Sequence, residues 1–202
     1  MYKWRNRNCP PAVHSLQSYT QEVNSDNWKH LLQCKRGTMN VSLVVGEDSS
    51  ESVIFMNPEF VRETSVRGFF FIDSTFKTVP HGVGAQQFLT IVSCKYNHAV
   101  PCVWILMDRK SKEAYKAVFE EISRLIPEFI IDEAMTDYES ALKAALRAVF
   151  PNIILHGCWF HYKQALLRKA IKLGLRALLK YNEDAKHLLL LIMDLPLLPA
   201  CF

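Results

Sequence analysis

The alternation of apolar and polar residues divides the chain into a weakly patterned first part and a strongly patterned remainder. Up to about residue 66 the sequence is polar, apart from two apolar runs at 41–45 and 52–56 that predict two short strands joined by an acidic turn. Three apolar runs with short links then follow one another, at 69–72, 88–93 and 100–107. Successive strands with short links predict an antiparallel meander.

The pattern then changes from the period of a strand to that of a helix. Ala114, Val118, Ile122 and Leu125 lie on one helical face, and Pro127 ends that helix. A fourth and a fifth apolar strand follow, and each leads into another helical segment. The order βββαβαβα is that of an RNase H-like fold, so we predict an α/β protein with a mixed five-stranded sheet. Right-handed crossovers place the fourth strand parallel to the first and beside it.

Composition narrows the class of protein without giving its function. The 202 residues are half apolar and carry a net charge of +4, which suits one domain with a short annex and is compatible with a polyanionic partner. The longest apolar stretch, 188–193, is too short for a bilayer, which takes about 20 residues. The six cysteines are scattered. We therefore expect reduced thiols in a nuclear or cytoplasmic protein that is neither secreted nor membrane-bound.

Two carboxylates are the strongest candidates for chemistry. Asp73 closes the first strand of the meander and Asp137 closes the fourth strand, so the predicted strand order brings them to one edge of the sheet. Two carboxylates at one place favour a divalent cation such as Mg²⁺ or Mn²⁺ between them. Alternatively, Asp73 is an ordinary turn residue, and Asp137 favours a helix N-terminus where Thr136 and Glu139 form a capping box.

The sequence around both acids resembles Mutator-like (MULE-type) DNA transposases. Gly68–Pro80 is similar to the family's first-strand signature, and Met135–Ala141 begins its second block. That block continues through Phe150-Pro151 to the Cys-x-x-His unit at 158–161, in the family's order. The resemblance covers about residues 52–199. Carried over position by position, Asp73 and Asp137 match the first two catalytic acids of the family.

The resemblance implies a function, a cofactor and a partner. MULE-type transposases belong to the RNase H-like DDE superfamily, which cleaves and transfers DNA strands with two divalent ions, so we expect Mg²⁺ or Mn²⁺, nuclear location and transposon-end DNA as partner. We expect no small-molecule substrate, and a homodimer is possible for this family. Residues 52–202 would form a partial RNase H-like core. Residues 1–51 would form a leader with a small β element or the remnant of a FLYWCH-like finger, which Tyr2–Pro10 resembles.

The third acid of the family has no counterpart in this sequence. In the family it is a Glu that lies beyond a helical insertion, and neither Glu183, Asp184 nor Asp194 matches it. Glu183 and Asp184 instead predict a solvated turn between helices. We therefore expect a core truncated before the insertion and the final helix, and catalytically incomplete. The alternatives are a non-enzymatic DNA- or protein-binding module, left by truncation or domestication, and a stand-alone RNase H-like nuclease.

Cys158 and His161 fall where the fifth strand turns into a helix. A structural zinc site takes four ligands, and no partner pair of matching quality is present, so the ligand count disfavours zinc. The resemblance implies that this Cys-x-x-His pair is a family marker near the active site. Local packing and contact with the DNA end are the favoured roles.

A cationic stripe follows the Cys-x-x-His unit. Basic residues recur every fourth position if one helix continues through Gly174, and two more lie nearby; the set is Lys163, Arg168, Lys169, Lys172, Arg176 and Lys180. Such a stripe neutralises DNA phosphates without reading bases. A solvated charged face is the alternative.

Overall fold

The structure, a computed structural model, describes residues 13–75, 79–95 and 97–198. The FLYWCH-like segment at Tyr2–Pro10 therefore lies outside the described residues. The chain forms two compact units, residues 1–156 and residues 157–202, and each has its own secondary structure and packing.

Most strands and four helices belong to the first unit. The strands are β1 Gln33–Cys34, β2 Gly37–Thr38, β3 Asn40–Val45, β4 Glu51–Met56, β5 Arg67–Thr75, β6 Gln87–Lys95, β7 His98–Met107, β8 Ile130–Thr136 and β9 Ile154–Gly157. The helices are α1 Leu16–Val23, α2 Pro58–Thr64, α3 Lys112–Leu125 and α4 Ser140–Val149, with a short 3-10 turn at Lys29–Leu32. The α/β class predicted from the sequence is confirmed.

Seven strands within the described residues form one mixed sheet, in the order β3-β4-β7-β6-β5-β8-β9. The predicted meander is present, because β6 pairs antiparallel with both β5 and β7. The parallel pairing of the first and fourth predicted strands is also confirmed, since β5 pairs parallel with β8.

The prediction of five strands is wrong. The β3–β4 hairpin joins the sheet, because β4 pairs antiparallel with β7 and covers what would otherwise be an open edge. The hairpin's own pattern predicts two strands but does not say which edge they meet. The two strands of this hairpin lie on either side of the proposed division of the chain into residues 1–51 and 52–202, apart from Glu51, the first residue of β4. That division stays a prediction.

Each face of the sheet has its own apolar core. Consecutive strand residues point to opposite faces, so Val53 and Ile54 of β4 enter different cores. On one face α3 and α4 cover the larger core, whose most voluminous members include Tyr115, Phe70 and Phe119. α1 packs on β3 and β4 at the other face and contributes Leu16.

Helix α3 ends where its sequence predicts, and a serine side chain caps its start. The Ser111 side chain accepts a hydrogen bond from the Ala114 N–H at 3.1 Å, which caps the first turn. The helix ends at Leu125, two residues before Pro127. Its buried face contains Ala114, Val118 and Ile122 of the predicted stripe, and Tyr115 beside them.

The second unit consists of α5 Trp159–Lys172, α6 Arg176–Tyr181, α7 Glu183–Asp194 and a 3-10 turn at Leu195–Leu197. A single helix through Gly174 is not formed, because α5 ends at Lys172 and Gly174 has a φ of 81°. Such a left-handed conformation, which glycine adopts at little cost, ends a helix. None of the helices in the described ranges has the length and apolar character to cross a membrane.

The predicted solvated turn at Glu183 and Asp184 is also wrong. Both residues are exposed, but they form the first turn of α7, where the Asn182 side chain accepts a hydrogen bond from the Ala185 N–H at 2.9 Å. Negative charge there is favourable because it opposes the positive end of the helix dipole. The Asn182 cap is the local signal that the sequence interpretation missed.

Candidate metal site at the carboxyl ends of β5 and β8

A β-bulge sets the register of the two strands that carry the candidate acids. Gly68 pairs with Ile131 and the next pair is Phe69 with Glu133, so Asp132 is an extra residue in β8. Gly68 has a φ of 132°, a backbone conformation that residues other than glycine rarely adopt. If the same residues paired without a bulge, every later pairing in this ladder would shift by one position.

The shifted register brings the two candidate acids together. The last pair of the ladder is Ile72 with Thr136, so Asp73 and Asp137 are the next residues of adjacent parallel strands. Neighbouring strands lie about 4.8 Å apart. Ile72 and Thr136 are both 1% exposed on the core side. Because side chains alternate, Asp73 faces away from that core, where it is exposed, and Asp137 beside it is half-buried.

The turn after β8 fixes one oxygen of Asp137. The Glu139 N–H donates a hydrogen bond to Asp137 Oδ1 at 3.0 Å. Helix α4 begins at Ser140, and its N-cap Glu139 makes no side-chain capping bond. The capping box of Thr136 and Glu139, the alternative role for this segment, is therefore not formed.

The side chain of Glu139 turns inward to a buried polar group. Tyr115 Oη lies 3.0 Å from Glu139 Oε1, and Gln87 Nε2 donates to Tyr115 Oη at 2.8 Å. Tyr115 and Gln87 are fully buried. Ser74, the neighbour of Asp73, also interacts with the Tyr115 hydroxyl. This buried polar group, Tyr115 with Gln87, Glu139 and Ser74, adjoins both strands that carry the candidate acids.

The sequence interpretation missed this buried polar group. Tyr115 lies on the apolar face of α3, where a hydroxyl needs a polar partner once it is buried. That requirement was the available signal. The identity of the partners depends on distant parts of the chain, and no periodicity predicts it.

Burial dominates the electrostatics of the buried polar group. Burial raises the pKa of Glu139, the Tyr115 hydrogen bond opposes that rise, and the charge of Asp137 adds to it. Burial also raises the pKa of Tyr115, and the nearby Glu139 charge acts in the same direction. Tyr115 therefore stays a neutral phenol, and its hydroxyl donates a hydrogen bond to Glu139 Oε1.

The chemistry of the two acids fits a hard divalent cation. Mg²⁺ is usually held by one or two carboxylates together with water and substrate phosphates, and two carboxylates from adjacent strands supply such a set. Among residues 13–75, 79–95 and 97–198, no group of three or more His, Cys, Asp or Glu side chains is arranged to hold a metal. Asp73 and Asp137 are the two carboxylates here whose chemistry suits such an ion.

Cys158 and His161 lie at the start of α5, in the second unit. Cys158 is the N-cap, and its carbonyl oxygen accepts a hydrogen bond from the Tyr162 N–H at 3.0 Å. Between them, Trp159 Nε1 donates to the Met193 carbonyl at 2.7 Å and so fastens the first turn of α5 to α7. Lys163 Nζ lies 4.1 Å from the centre of the Trp159 ring. The interpretation from sequence had not assigned Trp159 this role.

The six basic residues are divided between two helices instead of forming one stripe. Four lie on α5, and Arg176 and Lys180 lie on α6, beyond the break at Gly174. All but the half-buried Lys163 are exposed, and none forms a salt bridge with an acidic residue that the structure describes. Residues 157–202 hold seven Lys or Arg and three Asp or Glu, which equals the net charge of +4 of the whole chain. The excess positive charge therefore belongs to the second unit.

Comparison with known proteins shows a similarity to one protein family. A family model described as the MULE transposase domain matches residues 69–165, a range that includes both acids and the Cys-x-x-His unit. A search of curated proteins gave no match. Residues 69–165 are therefore similar to the MULE transposase domain.

Proposed function

We propose that this chain contributes the RNase H-like catalytic core of a MULE-type DNA transposase and binds a divalent metal ion through Asp73 and Asp137. The observation that carries the proposal is the register of β5 and β8, which makes the two acids neighbours at the carboxyl ends of parallel strands. Both acids lie inside the range that matches the family. The order of the five predicted strands within the sheet, third-second-first-fourth-fifth, supports the RNase H-like assignment.

The proposed chemistry is cleavage and transfer of DNA strands. When bound, Mg²⁺ or Mn²⁺ ions supply activation of the attacking hydroxyl and stabilisation of the leaving oxygen. Asp73 and Asp137 would orient the ion with their carboxylate oxygens. The Glu139 N–H, which holds Asp137 Oδ1, would keep one of these ligands in a fixed rotamer. DNA from transposon ends would be the substrate, and the nucleus the place of action.

We also propose that this chain alone cleaves DNA weakly or not at all. The family uses three acids, and this sequence offers counterparts of two of them, Asp73 and Asp137. A site with one ligand fewer binds its ion more weakly and leaves a second ion without its protein ligand. Strong Mg²⁺-dependent nicking of supercoiled DNA that Asp73→Asn abolishes would contradict this part of the proposal.

A second candidate function is a non-enzymatic DNA-binding module. The observation that favours it is the net charge of +4 carried by residues 157–202. The six basic residues of the predicted cationic stripe form no salt bridge with an acidic residue that the structure describes. Phosphate contacts require only such cations and no metal. In this case DNA binding would persist in the double variant that carries Asp73→Asn and Asp137→Asn. Neither substitution by itself would change the affinity for Mn²⁺.

Titration with Mn²⁺, followed by the electron paramagnetic resonance signal of the free ion, tests the proposal. We expect saturable binding that weakens about tenfold or more in Asp73→Asn and in Asp137→Asn, because each loses a carboxylate ligand. Asp26→Asn removes a carboxylate that is 90% exposed and bonded to Lys29, and it should leave the affinity unchanged. The metal site would be refuted if the wild-type chain did not bind Mn²⁺, or if neither Asp73→Asn nor Asp137→Asn changed the affinity.

A further inference from the structure

We infer that Tyr115 is a positioning residue for the metal-binding acids, acting on Asp137 through Glu139. The inference rests on the proposed function, because it assigns a role toward the ion that Asp73 and Asp137 would hold. Tyr115 contacts neither acid in the hydrogen bonds of the described residues and sits on α3, on the core side of the sheet. Its influence on the site is therefore indirect.

The link from Tyr115 to Asp137 consists of two hydrogen bonds. Tyr115 Oη lies 3.0 Å from Glu139 Oε1, and the backbone N–H of the same Glu139 donates to Asp137 Oδ1 at 3.0 Å. Anchoring the Glu139 side chain fixes the turn in which its N–H is presented. The direction of that N–H in turn selects the rotamer of the Asp137 carboxylate.

The buried polar group also reaches the strand that carries Asp73. The Tyr115 hydroxyl interacts with Ser74, which is adjacent to Asp73 and points to the opposite, core-facing side. Gln87, at the start of the neighbouring strand β6, holds the hydroxyl from a third direction at 2.8 Å. One phenol thus connects the end of β5 and the start of β6 with the turn after β8.

The chemistry of this place argues against simple space filling. A buried Phe at this position would need no polar partner. The buried hydroxyl of Tyr115 needs hydrogen bonds with Gln87 and Glu139, and these polar groups lose contact with water as well. Such a network defines one arrangement of its members, because any other leaves a buried polar atom unsatisfied. Groups that hold metal ligands in this way commonly contribute a factor of about ten or more to metal affinity.

A double-variant cycle on Mn²⁺ affinity tests this role. We expect Tyr115→Phe to weaken Mn²⁺ binding about tenfold and to change the resonance line shape of the bound ion. In a Glu139→Ala background the same substitution should have an effect of about twofold or less, because the link is already broken. Phe119→Leu, a fully buried position one turn further along α3, is the matched control: it should lower the unfolding temperature and leave Mn²⁺ binding as in the wild type.

Each outcome decides between the two proposals. Suppose that Asp73→Asn and Asp137→Asn weaken Mn²⁺ binding. The positioning role alone is then overturned if Tyr115→Phe keeps the wild-type affinity for Mn²⁺. It is also overturned if the fold-change in affinity of the Tyr115→Phe, Glu139→Ala double variant equals the product of the two single fold-changes. If neither Asp variant changes the affinity, the proposed metal site fails and the positioning role fails with it. Should Tyr115→Phe not fold, Glu139→Ala by itself decides, because it removes the partner without altering the packing of α3, and wild-type affinity there overturns the role.

Discussion

Ile72 pairs with Thr136 as the last step of the parallel ladder between β5 and β8, and this pairing makes Asp73 and Asp137 neighbours. The alignment exists because the bulge at Asp132 has shifted the register by one residue. In an unbulged ladder, Asp73 would stand beside Thr136. Bulges are common next to active sites for this reason, since they redirect a side chain with only a local change in the ladder.

Gly68→Ala should disturb both stability and the metal site. A Cβ at Gly68 meets open space, so the cost comes from its φ of 132° and should be about 1–3 kcal/mol in the free energy of unfolding. Relief of that strain by loss of the bulge would separate the two acids and weaken Mn²⁺ binding. Urea unfolding and Mn²⁺ titration measure the two effects. Gly174→Ala, with a φ of 81° and equally open space, is the control: we expect a stability loss with unchanged Mn²⁺ affinity.

The raised pKa of Glu139 predicts a pH-dependent effect of Glu139→Gln. The folded-state pKa lies above the ordinary value of 4.5, mainly through burial, so the folded state favours the protonated acid. The stability that this group contributes is present below the unfolded-state pKa and is lost as the pH rises through the folded-state pKa. A neutral Gln should therefore become more favourable, relative to the wild type, at pH 7 than at pH 4.

The comparison with Glu47 supplies a control of opposite sign. A hydrogen bond and the charge of Lys116 lower the pKa of Glu47, so its contribution is present above the unfolded-state pKa and is lost as the pH falls. Glu47→Gln should thus become less favourable, relative to the wild type, at pH 7 than at pH 4. Urea unfolding at both pH values gives the two differences, and equal signs would contradict the assignment of the causes.

The cysteines should differ widely in reactivity. Cys102 is fully buried and its pKa is raised to about 11 by burial, whereas Cys34 is exposed. Because the thiolate is the reactive form, iodoacetamide at pH 8 should modify Cys34 in the folded protein and leave Cys102 intact until urea unfolds it. Mass spectrometry of peptides locates the label. Labelling of both residues at equal rates in the folded chain would show that the core opens around β7.

DNA binding should depend on the basic residues of the second unit. We expect the logarithm of the association constant for duplex DNA to fall linearly with the logarithm of the salt concentration. Replacing Arg168 and Lys172 together by Gln should reduce the slope by about one for each phosphate that these side chains no longer neutralise. Fluorescence anisotropy at several salt concentrations measures it. Lys186→Gln, at a side chain bonded to Glu183 at 3.4 Å, is the control, and an equal change there would argue against a specific role for α5.

Much of the first unit could be predicted from local sequence. Alternating and continuous apolar runs predicted β5 to β8, and Pro127 predicted the end of α3, because hydrophobic period and helix-breaking residues act over a few positions. The convergence of β5 and β8 followed from the handedness of crossovers. The pairing of the β3–β4 hairpin with β7 did not follow, because a strand's own residues do not name its neighbour.

The sequence by itself determined which side chains can do chemistry, namely the carboxylates of Asp73 and Asp137, and the apolar periods that build the strands beneath them. Only the tertiary structure decided that a bulge at Asp132 aligns those acids and that Tyr115 has Glu139 as its partner. It also decided that the basic residues divide at Gly174 between two helices. The physical reason is range: side-chain type and period act along the chain, whereas register, buried hydrogen bonds and helix breaks depend on groups that only folding brings together.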